Sequence, residues 1–262
     1  MILYIYLTGC SSSNTDTSTT KVEPTAEPSY EDSGFTHTIP FSGTVSYEDG
    51  TEVTSANTRV QMCSDYCYPA VIGSDGNFAF VGLAPSTYAF DVVPLGENAD
   101  NYATPLDFIT LTEEMESHTL VNTVKIPTYT NTEELTQSEI IIQNELIISI
   151  DSQSYTPREG FESKEYIAGT RIPEDSGIVL EGIQGSFIKG WYLGAFESKV
   201  GDWPFRVENL EPGMPLHAYN SSYDDKEWIS LGTSTVDENG IFIAPNGLKI
   251  SFLESAHAKT PN

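Results

Sequence analysis

Apolar and polar residues alternate along residues 39–127, the first of two stretches of the chain that show this pattern. Apolar side chains occupy every second position in the runs FSGTVSY, TRVQM, NFAF and TYAFDV. Turn sequences containing Asp49-Gly50 and Asp75-Gly76 lie between these runs. A period of two interrupted by Asp-Gly turns is typical of antiparallel hairpins, and Gly76 permits the positive φ that such a turn needs. Strands at roughly ten-residue spacing predict a small β-sandwich here.

The second stretch, residues 139–256, begins with the strongly apolar runs EIII and LIISI and continues as further short apolar segments. A polar turn at 237–240 again precedes an apolar run. Residues 128–138 are polar and lack an apolar period, so they are predicted to form a linker. No segment has a sustained helical period. The sequence therefore predicts an all-β protein of two β-sandwich-like domains.

The first residues, MILYIYLTGC, pass from an apolar run into a Ser/Thr/Pro/Glu tract that extends to about residue 33. Such a tract cannot bury enough apolar surface to fold, so residues 10–38 are predicted to be a disordered tether. Leu7-Thr8-Gly9-Cys10 resembles the lipobox of bacterial lipoproteins, and this resemblance implies that Cys10 carries the lipid anchor.

Residues 1–9 would then be the remnant of a signal peptide. They are shorter than a full signal peptide and lack its positive region, so we expect the true translation start to lie upstream. The alternative is that Cys10 is a buried cysteine on an N-terminal strand.

The segments FSGTVSYEDGTEV, NTRVQMC and IGSDGNFAFVGLAPSTYAFDVVP resemble the carboxypeptidase regulatory-like domain. That family has a transthyretin-like sandwich, with a G-x-V strand, a D/N-G turn and a later D-G-x-F-x-F pattern. Apart from the resemblance, the alternation itself predicts that Phe78 and Phe80 point one way and that Tyr88 and Phe90 pack opposite them. The resemblance also implies an architecture shared with carbohydrate-binding-like domains, although a fold alone does not assign a function.

The net charge of the chain restricts the kinds of partner that it can bind. The 262 residues include 12 Lys and Arg against 38 Asp and Glu, which gives a formal charge of −26. Such a surface repels phosphate backbones and anionic headgroups, so nucleic acid is not expected as a partner. No segment matches the EF-hand calcium loop, although an irregular, weak calcium site in a loop stays open.

Cys63 and Cys67 are close enough in sequence to meet across a tight loop. The pair is predicted to be a structural disulfide, as suits an oxidising compartment. The alternative is a redox or metal site, but the spacing is not C-x-x-C and no second Cys/His pair completes a zinc shell.

Most catalytic signatures are absent from the sequence. It contains no G-x-S-x-G, His-Glu-x-x-His, Walker or G-x-G-x-x-G motif, and its four histidines are far apart. With 38 acids, some carboxylate pair will always look suitable for a glycosidase, so pairing by eye carries no weight. We therefore predict no catalytic residues, no metal and no cofactor, and we expect that the protein is not an enzyme.

Aromatic residues of the second stretch are candidates for stacking against a sugar: Trp191, Trp203, Trp228, Tyr192, Tyr219 and Tyr223. Tryptophan in a sandwich is more often a core residue, and core packing is the alternative for all of them. Trp203 is expected to be the most exposed because Gly201, Asp202 and Pro204 surround it. Trp203, Trp228 and Tyr223 are the predicted sugar-stacking residues.

These observations favour a lipid-anchored protein of the bacterial cell envelope, at the outer membrane or cell surface. Its predicted role is a non-catalytic binding or structural module, attached to the membrane through Cys10 and facing a glycan or another envelope protein. The second hypothesis is a carbohydrate-binding surface protein. The third is a hydrolase whose site is assembled from residues distant in sequence.

Overall fold

The computed structural model describes residues 37–156, 166–178, 183, 186–194, 203–223 and 225–243, and the backbone of short strands at 2–3, 249–250 and 256–259. The described part of the chain is all-β, as predicted. Its only helices are two short 3-10 segments, Gly96–Asp100 and Ser152–Ser154. No helix among these residues is long and apolar enough to cross a bilayer. The predicted lipidation site Cys10 and nearly all of the predicted tether lie outside the described residues.

The first strand of the chain is β1 (Ile2–Leu3). The strands of the first sandwich are β2 (Ile39–Tyr47), β3 (Thr58–Cys63), β4 (Cys67–Pro69), β5 (Val71–Ile72), β6 (Asn77–Leu83), β7 (Ser86–Pro94), β8 (Leu106–Leu111), β9 (His118–Thr119) and β10 (Val124–Ile126). One sheet has the order β4-β3-β7-β8. The other has the order β10-β2-β6-β5, with β9 also paired to β2.

The core of the first sandwich lies between these two sheets and is rich in aromatic side chains. Phe78 of β6 stacks on Phe90 of β7 with ring centroids 5.7 Å apart, so the predicted packing of these strands is confirmed. Gly76 adopts φ +77° in the turn before β6, as the Asp-Gly pattern predicts. The alternating residues of β2, β6 and β7 thus supply the apolar faces that hold the two sheets together.

The strands of the second sandwich are β11 (Asn131–Glu134), β12 (Glu139–Ile142), β13 (Leu146–Ser149), β14 (Tyr166–Arg171), β15 (Phe187–Gly194), β16 (Trp203–Val207), β17 (Pro215–Ser222), β18 (Glu227–Thr235), β19 (Phe242–Ile243), β20 (Lys249–Ile250) and β21 (Ala256–Lys259). One sheet has the order β11-β14-β15-β21-β17-β18, with β1 paired to β15. The other has the order β12-β13-β16-β19, with β20 paired to β16.

The predicted linker, residues 128–138, is corrected by the structure. Asn131–Glu134 forms β11, which pairs antiparallel with β14 at the edge of the larger sheet. A polar segment can form a strand there because an edge strand has one neighbour and its residues need not face a core. The two faces of β11 are half-buried or exposed, so its sequence carries no apolar alternation.

A third apolar cluster joins the two sandwiches. It combines Cys63, Ala89, Leu106 and Phe108 on the outer face of the β4-β3-β7-β8 sheet with residues of the second sandwich, namely Ile172, Tyr192 and Tyr223. Half-buried side chains of Tyr129, Phe187 and Trp228 pack against this cluster. The sandwiches therefore meet through an interface that has its own buried centre, and two open clefts lie beside it.

Candidate functional site

The first cleft, here called the Trp228 groove, has a volume of about 480 Å³ and is formed by both sandwiches. The first sandwich contributes one wall, from β7 and β8. The second contributes the turn between β17 and β18 and the start of β18. The lining residues are Thr87, Phe108, Thr110, Asp225, Lys226, Glu227 and Trp228.

Trp228 is the large aromatic residue of the groove that keeps part of its surface accessible. It is half-buried, whereas Phe108 is only 4 % exposed. The two rings make an edge-to-face contact with centroids 5.1 Å apart, which fixes the indole against the interface. An aromatic ring held in this way presents a rigid apolar surface to a ligand, with little conformational entropy to lose on binding.

Polar groups accompany the indole in the Trp228 groove. The hydroxyls of Thr87 and Thr110 lie 3.0 Å apart on neighbouring strands. At the β17–β18 turn, the Ser222 hydroxyl donates to the Asp225 carboxylate over 2.7 Å, and Lys226 adopts φ +56° to close the turn. The groove thus combines one partly exposed aromatic face with hydroxyls, carboxylates and an ammonium group.

A buried carboxyl lies at the interface itself. Asp91 of β7 has no accessible surface, and Gln61 of β3 donates its side-chain amide to Asp91 Oδ2 over 3.1 Å. Burial raises the pKa of Asp91 to about 7, while the hydrogen bonds from Gln61 and Tyr223 and the nearby Arg59 charge oppose that rise. Because Tyr223 belongs to the second sandwich, this carboxyl is part of the contact between the two.

Cys63 and Cys67 form a disulfide, as predicted. They face each other directly in the β3–β4 hairpin, with Cα atoms 4.0 Å apart. Cys67 Sγ also lies 3.7 Å from the Tyr223 hydroxyl, so the bridged hairpin touches the second sandwich. No group of three or more potential metal ligands occurs in the described parts of the chain.

The structure separates the six aromatic candidates into two groups. Trp191, Tyr192, Trp203 and Tyr223 are buried, and only Trp228 and Tyr219 are half-buried. Of these six residues, Trp228 alone lines the groove described above. Sequence reasoning singled out Trp228 but missed Phe108, Thr87 and Thr110, which come from the other sandwich and carry no local signal.

The expectation that Trp203 is exposed is wrong. Its side chain is 0 % exposed and lies in the core of the second sandwich. The indole N–H donates to the Asp151 carbonyl and to the Ser154 hydroxyl, which satisfies the one polar atom of the ring. Tyr223 is likewise 6 % exposed at the interface, so neither residue can stack against a ligand in this arrangement.

Under the third hypothesis, a hydrolase, His217 on β17 is the candidate catalytic group. Its Nε2 lies 2.5 Å from the Ser230 hydroxyl, and its ring stacks on Tyr219 with centroids 4.3 Å apart. Burial lowers the pKa of His217. Neither of the two clefts described above includes these residues, and Ser230 is exposed on its strand.

The fold and the groove define an all-β protein of two sandwiches with a ligand-sized cleft beside their interface. No family model matches the chain, and no curated protein matches it. The resemblances to the lipobox and to the carboxypeptidase regulatory-like domain therefore stay predictions.

Solved structures of similar proteins include a DUF3823 family protein from Bacteroides ovatus, with 13% identity and a TM-score of 0.24 over 86% of this chain and 97% of that one. The Bacillus anthracis TIE protein has 12% identity and a TM-score of 0.26, over 86% of this chain and 31% of that one. A protein from Bacteroides uniformis, described as a carbohydrate-binding candidate, has 9% identity and a TM-score of 0.23, over 86% and 80%. These values are too low to assign a family or a function.

Proposed function

We propose that the protein is a non-catalytic binding protein of the bacterial cell envelope and that the Trp228 groove binds a carbohydrate. The observation that carries the proposal is the half-buried indole of Trp228 in a cleft that also offers hydroxyl and carboxylate groups. The apolar face of a sugar ring can cover the indole while its hydroxyls exchange hydrogen bonds with Thr87, Thr110 and Asp225.

The charge of the chain indicates which sugars suit the groove. The formal charge is −26, and two of the three charged residues in the groove are acids. An acidic polysaccharide would meet repulsion at long range and in the groove. The proposed ligand is therefore a neutral glycan.

A glycan array probed with the Cys10→Ser chain, followed by calorimetry on the glycans that bind, tests the proposal. Trp228→Ala should weaken binding about tenfold or more, because it removes the stacking surface. Tyr219→Ala is the matched control, since Tyr219 is the other half-buried residue among the six aromatic candidates and lies outside the groove. Glu227→Gln, at an exposed position in the groove, should lower the affinity, because it replaces a charged hydrogen-bond acceptor with a neutral amide.

Two results would contradict this proposal: binding to no neutral glycan on the array, or equal loss of affinity in the Trp228 and Tyr219 variants. In the first case, a structural or protein-binding role would become the better hypothesis.

The envelope location is part of the same proposal and rests on the lipobox-like sequence before Cys10. Acyl chains on Cys10 would anchor the protein, because each buried methylene contributes roughly 0.8 kcal/mol. Mass spectrometry of the native N-terminus should find acylated Cys10, and Cys10→Ala should release the protein from membranes. A Cys10→Ala chain that still sediments with the membrane fraction would argue against the anchor.

A further inference from the structure

A second cleft lies on another side of the interface and differs in chemistry from the Trp228 groove. It also has a volume of about 480 Å³ and contains no aromatic side chain among its lining residues. Its polar lining comes from the β2 end, the β11 region, the β12–β13 turn and the end of β14: Glu48, Thr128, Thr130, Gln143, Arg171 and Glu174. This size falls within the range of small-molecule sites.

Arg171 is the one positively charged residue among those lining this cleft. Its side chain is 34 % exposed, and within the described residues it donates no hydrogen bond. The nearest carboxylate oxygen, Glu145 Oε1, is 3.6 Å away and already accepts a 2.8 Å hydrogen bond from Lys189 Nζ. The guanidinium therefore has N–H donors left for a ligand, and its planar fork matches a carboxylate.

Arg206, in the same chain, is an arginine whose guanidinium is engaged in ion pairs. Its side chain is also 34 % exposed, but it donates to Glu139 and Glu208, each over 2.9 Å. At equal exposure, one arginine satisfies two carboxylates and the other lines a cleft without a hydrogen bond. Arg171 forms one long ion pair, with Glu145 over 3.6 Å, whereas Arg206 forms two hydrogen-bonded ion pairs, so more of the Arg171 guanidinium is available to a ligand.

The remaining charges of the cleft restrict the ligand. Glu48 and Glu174 are exposed acids that line the cleft beside Arg171. A simple anion would meet these two carboxylates and the overall charge of −26, while a simple cation would meet Arg171. A ligand that carries both charges satisfies both groups, and the threonine hydroxyls and the Gln143 amide can bond a peptide group.

We propose that this cleft binds a small zwitterion, namely a free amino acid or short peptide. The ligand carboxylate pairs with Arg171, and its ammonium group faces Glu48 or Glu174. This binding site is independent of the Trp228 groove, so either proposal can fail without the other.

Calorimetry and NMR titration of the Cys10→Ser chain with glycine, triglycine, N-acetyltriglycine and triglycinamide test the proposal. The two capped peptides each lack one charge. Triglycine should bind at least about tenfold more tightly than either capped peptide, since each loses one ion pair in a partly desolvated cleft. Glycine binding as tightly as triglycine would identify the amino acid as the minimal ligand.

Arg171→Met should abolish binding, and Arg206→Met is the matched control that should leave it unchanged. The Glu48→Gln/Glu174→Gln double variant, at two exposed positions, should weaken binding without affecting the fold. Three results would each overturn the proposal: no binding of glycine or triglycine at about 10 mM, equal binding of the capped peptides, or unchanged affinity in a folded Arg171→Met variant.

Discussion

Asp91→Asn is expected to stabilise the protein at neutral pH and to leave its stability nearly unchanged near pH 4. Asp91 is fully buried between Gln61 and Tyr223, and burial raises its pKa from 3.8 to about 7. In the unfolded chain, Asp91 loses its proton near its ordinary pKa of about 4. In the folded protein, Asp91 keeps its proton until about pH 7. Above that pH, the folded protein must bury the charged carboxylate.

The sign of the effect follows from proton linkage. Between about pH 4 and pH 7, the unfolded state binds fewer protons at this site than the folded state, so the free energy of unfolding falls as the pH rises. A pKa difference from 3.8 to about 7 corresponds to at most roughly 4 kcal/mol. The asparagine side chain is neutral at every pH in this range and can accept the Gln61 hydrogen bond. The variant therefore does not lose free energy of unfolding at this site as the pH rises.

Urea unfolding, followed by tryptophan fluorescence at constant ionic strength, measures the effect. The variant should match the wild type at about pH 4 to within about 1 kcal/mol and exceed it at about pH 8 by a few kcal/mol. Asp65→Asn is the control, because Asp65 is exposed in the loop between the bridged cysteines. A difference between Asp91→Asn and wild type that does not change with pH would refute the reasoning.

Three further predictions concern packing and cross-links. Gly76→Ala should lower the free energy of unfolding by about 3 kcal/mol or more in the same urea assay, because φ is +77° and a Cβ would overlap a backbone carbonyl of β2. Lys189→Met should cost about 3 kcal/mol by leaving Glu145 largely buried without its 2.8 Å partner. Lys125→Met is the control and should cost under about 0.5 kcal/mol, because its partner Asp175 is exposed to solvent. Thiol labelling of the unreduced, unfolded chain should find Cys63 and Cys67 blocked, and the Cys63→Ser/Cys67→Ser double variant should lose only about 2 kcal/mol because the closed loop is so short.

Local patterns in the sequence account for much of the first sandwich. The period of two along β2, β6 and β7 placed Phe78 and Phe90 on facing sheets, and the Asp-Gly turn anticipated the positive φ of Gly76. These features depend on side-chain alternation and backbone sterics within a few residues, and a sequence displays both directly.

The errors arose where position in the fold outweighs local composition. The sequence of β11 is interpreted as a polar linker because an edge strand needs no apolar face. Trp203 has polar and turn-forming neighbours, but Phe205 and Val207 follow it at a spacing of two and face the same core. That alternation was the available signal, and the flanking Gly, Asp and Pro residues concealed it.

The candidate sites could not be derived from the sequence because each is assembled from both sandwiches. Trp228 meets Phe108 across 120 residues of chain, and Glu48 joins Arg171 only because the sandwiches pack together. No motif spans such distances, and a set of 38 acids offers many false pairs. Composition could therefore indicate a class of ligand but not the cleft that holds it.

The position of the Trp228 groove beside the interface has a consequence for how it binds. One wall belongs to β7 and β8 and the other to the β17–β18 hairpin, so the groove keeps its shape only while the sandwiches stay packed. The same hairpin leads to Tyr223, which contacts both Asp91 and the bridged β3–β4 hairpin. Linkage is reciprocal, so a ligand that fills the groove must stabilise this interface by the amount that packing contributes to its affinity. The buried carboxyl and the disulfide thus help to set the geometry in which Trp228 meets its ligand, although neither lines the groove.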